Sequence, residues 1–282
     1  MVERSAAVRA LRLLGRILPG DFLKTAFYLN VIARPRAALR VALFGFYRMD
    51  HVYAVLREFG TGYRGRFSVL EFGTAAGYAF RKILYATRYL GLTDRVVVHG
   101  FDSFEGLPAP VRSEDADLVA GDDYVAGQYR ASYEALEAYC RRRYPNARLH
   151  KGDFGETLTE AFLASLRQEP PILVWFDCNY YRSARVVFER LLPVLPSGCV
   201  LYFDDYDWNY GSRFTGEARL VHEINTGRFG DGVELVLDPA LSLLSRRVYR
   251  FVARDATVRY ERVRPRQAAA AARLPSGDSP LP

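Results

Sequence analysis

From about residue 66 onward the chain alternates two hydrophobic patterns. Short, nearly continuous apolar runs recur as "FSVLEF" (67–72), "RVVVHGF" (95–101), "ARLHKG" (147–152), "ILVWFD" (172–177) and "CVLYFD" (199–204). Residues that are apolar at successive positions predict strands covered on both faces, as parallel strands are. Between them, "YAFRKILYATRYLG", "ASYEALEAYCRRRYP" and "SARVVFERLLPVLPSG" place apolar residues at helical spacing and stop at Gly or Pro. Strand and helix in alternation predict an α/β fold, a Rossmann-like doubly wound sheet with helices on both faces. "VELVLD" and "RVYRFVA" lie close enough to pair antiparallel. The expectation is therefore a seven-stranded, mostly parallel sheet whose last strand is antiparallel. Residues 1–58 read as a helical extension of two or three helices, 59–262 as the main domain. The end, "QAAAAARLPSGDSPLP", has little to bury and reads as a disordered tail over 263–282.

Composition narrows the class. Half the residues are hydrophobic and a quarter charged, which fits a soluble globular chain. No run of eighteen apolar residues predicts a membrane span, and arginines interrupt the first apolar stretch, against a secretory signal. Three cysteines without metal-ligand spacing fit a cytoplasmic location. The net charge of +7 is uneven, with nine Lys or Arg against two acids in residues 1–48. Within it, "AVRALRLLGRIL" reads as a basic amphipathic helix that could make peripheral contact with an anionic membrane. Packing of its apolar face on the protein's own core or on a second subunit is the preferred reading, and a homo-oligomer is expected. No dense basic run interleaved with aromatics is present, so nucleic acid is not an expected partner.

Carboxylates decide the chemistry. Glu71, Asp102, Asp153, Asp177, Asp204 and Asp205 all fall at or just beyond predicted strand ends, where an open α/β sheet binds its ligands. Six such groups on one rim repel one another unless something positive sits among them. In "EFGTAAGYAF", Gly73, Thr74 and Gly77 form a tight strand-to-helix turn, but neither GxGxxG nor GK[ST] is present. That favours a nucleoside cofactor without a pyrophosphate, S-adenosylmethionine. Asp102 with Ser103 is placed to accept from ribose hydroxyls; Gly152, Asp153 and Phe154 are placed against adenine. Loop solvation or helix capping is the plain alternative for each acid. His99 and His150 read as packed residues, and His222 and Glu223 as candidates for a general base. Tyr180, Tyr181, Trp208 and Tyr210 suit either a sugar face or core packing.

"FDSFEGLP", "KGDFGETL", "DCNYYRSARVVFERLLPVLPSGCV" and "FDDYD", in that order over roughly 66–225, resemble the macrocin O-methyltransferase (TylF-type) group. These are class I S-adenosylmethionine-dependent enzymes that need a metal and methylate sugar hydroxyls. The resemblance implies Mg²⁺ held by Asp177, Asp204 and Asp205, with Asp177 also a catalytic and cofactor-contacting residue, and a small-molecule or sugar hydroxyl as acceptor. The chain departs from the group at Asn179 and Arg182, where the group carries acids, and its short helix start matches at 211–213 or at 216–218. A divalent ion has a physical rationale here, since it lowers the pKa of a coordinated oxygen by several units. Mg²⁺ also favours a few carboxylates with open positions for substrate oxygens. The rival readings are a catechol-type metal-dependent O-methyltransferase, a nucleotide-cofactor oxidoreductase and a non-catalytic, membrane-associated scaffold.

Overall fold

The structure, a computed structural model, describes residues 49–115, 124–242 and 247–263. The basic helix expected within residues 1–48 and the tail expected beyond 263 lie outside the described residues.

A seven-stranded sheet forms the centre. Its strands are β2 (Phe67–Phe72), β3 (Val96–Asp102), β4 (Ala147–Lys151), β5 (Pro171–Phe176), β6 (Val200–Phe203), β7 (Val233–Leu237) and β8 (Arg247–Ala253). A separate two-residue strand, β1 (Tyr63–Arg64), pairs antiparallel with β9 (Glu261–Arg262). The sheet order is β4-β3-β2-β5-β6-β8-β7. Pairs β2–β3, β2–β5, β3–β4 and β5–β6 are parallel, whereas β8 runs antiparallel to both neighbours. Every residue of β2, β5 and β6 is buried, which is why their sequences carry no polar alternation.

Helices cover both faces. On one lie α1 (Asp50–Gly62), α2 (Tyr78–Tyr89) and α4 (Tyr133–Arg143), which bury Val52, Val55, Leu56, Ile83, Leu84 and Leu136 in one core cluster. The other face carries α6 (Glu160–Ser165), α7 (Tyr181–Leu191) and α8 (Gly216–Asn225), packed on Phe72, Val174, Phe176 and Leu201. Two one-turn helices, α3 (Arg112–Asp115) and α5 (Phe154–Thr157), sit in the loops. The boundary expected at 58 falls inside α1, whose apolar stripe is part of the main core. In α7 the buried residues Tyr181, Ala184, Val187, Phe188 and Leu191 follow helical spacing. Pro193 then turns the chain into a short 3₁₀ segment, Leu192–Val194, so the helix is shorter than the apolar pattern suggests. No helix among the described residues is long and apolar enough to cross a membrane.

The chain winds outward from β2 to β3 and β4, then crosses back to β5 and β6. The reversal lies between β2 and β5, where an open α/β sheet forms a crevice at its carboxyl ends. Gly73 follows β2 with φ +97, and a Cβ there would stand 1.8 Å from the Asp177 carbonyl oxygen. Only glycine permits that approach. Gly77, at φ +77, similarly leaves room for Leu136 of α4, whose Cδ1 a Cβ would meet at 2.4 Å.

Candidate active site

The carboxyl ends of the strands enclose a cavity of about 700 Å³. Backbone pairing between neighbouring strands sets its floor. The Asp177 amide donates to the Phe72 carbonyl, and the Asp204 amide to the Phe176 carbonyl, each at 2.9 Å. Phe176 and Phe203 are register partners, so Asp177 and Asp204 leave adjacent strands at the same level. Of the residues expected at a site, Gly73, Asp102, Ser103, Gly152, Asp153, Phe154, Asp177, Asp204 and Asp205 line this one cavity.

Glu71, Thr74 and Gly77 do not line it. Glu71 is 1% exposed beneath the floor, and its carboxyl is pushed well above the usual range by burial and by the charges of Asp102 and Asp204. The Thr74 hydroxyl and the Phe80 backbone, both beside the carboxyl, pull in the opposite direction. Gly77 serves the packing of α4, as above.

The acids on the β3 side are tied to backbone amides. Asp102 accepts from the Ala75 amide at 2.8 Å and from the Phe104 amide at 2.5 Å, so one carboxylate joins the glycine turn to the loop after β3. Burial raises its pKa while both amides pull it down. Asp153 accepts from the Gly155 amide at 2.8 Å and caps α5, the capping role weighed against adenine contact. Phe154 stands edge-on to Phe72 with centroids 5.4 Å apart.

The acids on the β5–β6 side behave differently. Asp204 accepts from the Tyr202 hydroxyl at 2.7 Å, and Asp205 from the Asn179 side-chain amide at 2.8 Å. Behind them Glu217 accepts from the Asp205 backbone amide at 3.0 Å. Glu217 is fully buried, and its Oε1 has no hydrogen-bond partner. Burial first, then the charges of Asp205, Asp204 and Asp177, hold its carboxyl well above the ordinary range. All three aspartates thus act on one buried group. Even so, among the described residues no three His, Cys, Asp or Glu side chains are gathered as a metal-ligand cluster; Asp204 and Asp205 are turned toward Tyr202 and Asn179.

His222 and Glu223 are not in the cavity wall. Glu223 accepts from Tyr181 at 2.5 Å and from Arg219 and Arg228 at 3.0 Å each. It is a half-buried ion-pair hub on α8 rather than a base facing the cavity. Tyr180 and Tyr181 are core residues, 1% and 0% exposed. Trp208 packs on Tyr124 at 5.2 Å, and Tyr210 stands 86% exposed.

Four contributors escaped the sequence reading. Glu217 shares one α8 stripe with the buried Leu220 and Ile224; an acid in an apolar stripe was the available signal. Asn179 adopts φ +61, a conformation Asn tolerates better than most residues. Tyr129 and Arg130 line the cavity from a loop held by Leu107, which bonds Gly127 and Gln128 at 2.8 Å each. Burial and the charges of Asp205 and Asp177 raise the Tyr129 pKa. No local periodicity marks these two.

Residues 70–206 match a family described as methyltransferase domain. That match spans the cavity-lining residues from Gly73 to Asp205. Two solved structures resemble it over most of its length. The calicheamicin methyltransferase CalS11 is 21% identical, covering 82% of this chain and 91% of that one, with a TM-score of 0.54. The O-methyltransferase NovP is 19% identical, covering 82% of this chain and 99% of that one, also with a TM-score of 0.54. At these identities the likeness establishes a shared fold. None of the curated proteins matches the sequence.

Proposed function

We propose that this methyltransferase domain transfers a methyl group from S-adenosylmethionine to a hydroxyl of a sugar, a glycosylated natural product or a polysaccharide precursor, with Mg²⁺ as the assisting ion. The observation that carries this reading is the single cavity at the strand reversal. A glycine turn and amide-tied acids form one side of it, and an excess of carboxylates forms the other. The resemblance to sugar O-methyltransferases in the motifs at 101–108, 151–158 and 203–207 supports the acceptor class. The two structural neighbours, a calicheamicin methyltransferase and an O-methyltransferase, support the methyl-transfer chemistry itself.

Gly73, Asp102, Ser103, Gly152, Asp153 and Phe154 would hold the cofactor, which when bound supplies a methyl group activated by a sulfonium. Asp102 fixes the turn and the loop it joins, so this half is organised before the ligand arrives. Asp177, Asp204 and Asp205 would hold the ion, whose chemistry is to lower the pKa of a coordinated hydroxyl. The donor set suits a hard cation, being all carboxylate oxygen. Its charge calls for one as well: among the described residues, Asp102, Glu105, Asp153, Asp177, Asp204 and Asp205 line the cavity against Arg130. Asp177, at the reversal itself, is the carboxylate assigned to receive the acceptor's proton. Tyr129, 53% exposed at the cavity wall, is placed to pack against the acceptor and keep water from it. Holding both reactants in one frame supplies much of the rate.

Calorimetry with S-adenosylhomocysteine checks the cofactor assignment. Saturable binding by the parent chain, weakened at least tenfold in Asp102→Ala, is the expected outcome; no binding by the parent would refute the assignment.

A further inference from the structure

The opposite pole of the sheet carries a second cavity, of about 310 Å³. It lies where the parallel strands begin. Tyr63 precedes β2, Ser197 precedes β6, and the chain leaving β8 supplies Arg254, Arg259, Tyr260 and Arg262. With β2 six residues long, the two cavities are separated by about 20 Å of strand. Methyl transfer at one pole makes no use of the other.

The wall has an unusual charge pattern. Arg254, Arg259 and Arg262 all line it and all are exposed, and among the described residues no carboxylate lines it with them. Among the described residues none of the three forms an ion pair with an acid, whereas nearby Arg250 is paired with both Glu58 and Asp238. Two of the three hydroxyls in the wall, those of Tyr260 and Ser197, are already committed. Tyr260 donates to the Pro171 carbonyl, and Ser197 exchanges hydrogen bonds with Ala253 at 3.0 and 2.9 Å. These contacts fix the pocket's frame and leave the guanidiniums, with the Tyr63 hydroxyl, as donors turned to its interior. Aromatic rings form the floor, with Tyr63 and Tyr260 centroids 5.6 Å apart and Phe59 behind both. The β1–β9 pair and the Val263 amide, which donates to the Gly62 carbonyl at 2.9 Å, clamp the segment that carries Arg259 and Arg262.

A guanidinium presents a planar fork of donors that matches phosphate oxygens in pairs, and several around one concavity compensate a dianion. We propose that this arginine-walled pocket is a binding site for a phosphate group, presented either by a soluble phosphomonoester or by an anionic lipid headgroup. The clamped backbone holds the three arginines around the concavity before the ligand arrives, and the aromatic floor accommodates the carbon skeleton attached to the phosphate.

The full-length chain and a triple variant, Arg254→Gln/Arg259→Gln/Arg262→Gln, test this. Calorimetry with inorganic phosphate at constant ionic strength, using chloride as the control, should show saturable binding that falls at least tenfold in the triple variant. Sedimentation with phosphatidylcholine vesicles containing phosphatidylglycerol, against pure phosphatidylcholine, separates the two sources. Variant-sensitive retention on anionic vesicles assigns a lipid headgroup, and phosphate binding without retention assigns a soluble ligand. Unchanged S-adenosylhomocysteine binding by the triple variant shows that it is folded. If neither phosphate nor anionic vesicles bind the parent chain, or if both bind the variant as tightly, the proposal is wrong.

Discussion

The two sides of the main cavity handle negative charge in opposite ways. On the β3 side, Asp102 and Asp153 spend their oxygens on the amides of Ala75, Phe104 and Gly155. Such charge-assisted bonds to backbone stabilise the ionised form and lock the loops. On the β5–β6 side, the charges of Asp177, Asp204 and Asp205 bear on a fully buried Glu217, and Asp204 and Asp205 accept from a phenol and a side-chain amide. The first side is complete without a ligand. The second carries like charges whose repulsion a cation would relieve. A preformed half and an unbalanced half are what a cofactor that binds first and a metal-assisted step second would require.

Disrupting the unbalanced side should have the largest effect on catalysis. Asp204→Ala is expected to lower kcat/KM about a thousandfold, roughly 4 kcal/mol of transition-state stabilisation. Its metal-free stability should stay equal to the parent's or rise. A variant that keeps full rate would remove Asp204 from the ligand set.

Breaking the join between the halves comes next. Gly73→Ala drives a methyl into the Asp177 carbonyl at a positive φ, and should cost about 3 kcal/mol or more in urea unfolding. S-adenosylhomocysteine binding should be lost with it. Asp102→Ala sharpens the contrast, because it strands two backbone amides. It should destabilise the chain by about 2 kcal/mol, a loss not expected for metal-free Asp204→Ala.

A smaller effect belongs to His99 and His150, whose rings meet at 3.0 Å on β3 and β4. Burial, followed by the charges of His150 and Arg148, lowers the His99 pKa from 6.5 to about 3. A depressed histidine favours the folded state above its unfolded pKa, and that stability is lost as pH falls from 6.5 toward 3. Between pH 7.5 and 5 the parent should lose about 2 kcal/mol in urea unfolding through this group. His99→Phe should show a shallower slope; an unchanged slope would assign the pH dependence elsewhere.

How much of this was legible depended on the range of the cause. Continuous apolar runs located β2, β3, β5 and β6 to within a residue or so, because burial on both faces acts on each strand locally. The antiparallel pairing of β7 and β8 was readable from their proximity. Insertion of β8 between β6 and β7 was not, since it depends on the whole sheet. Two residues each are too few to betray β1 and β9. The acids at strand tips were legible, yet their partners were not. Gly73 is required by a carbonyl far along the chain, Asp102 holds loops as well as facing the cavity, and Glu223 turned out to serve Arg219 and Arg228. Tyr129 and Arg130 owe their place to Leu107 pairing across a loop, which leaves no pattern in sequence.

The central claim is that the β5–β6 side holds a divalent cation, and thermal unfolding with and without millimolar Mg²⁺ tests it most directly. The parent chain saturated with S-adenosylhomocysteine should melt at a higher temperature with Mg²⁺, and the Asp204→Asn/Asp205→Asn variant should show no such rise. An equal shift in both proteins, or none in the parent while the cofactor product still binds, would contradict the account.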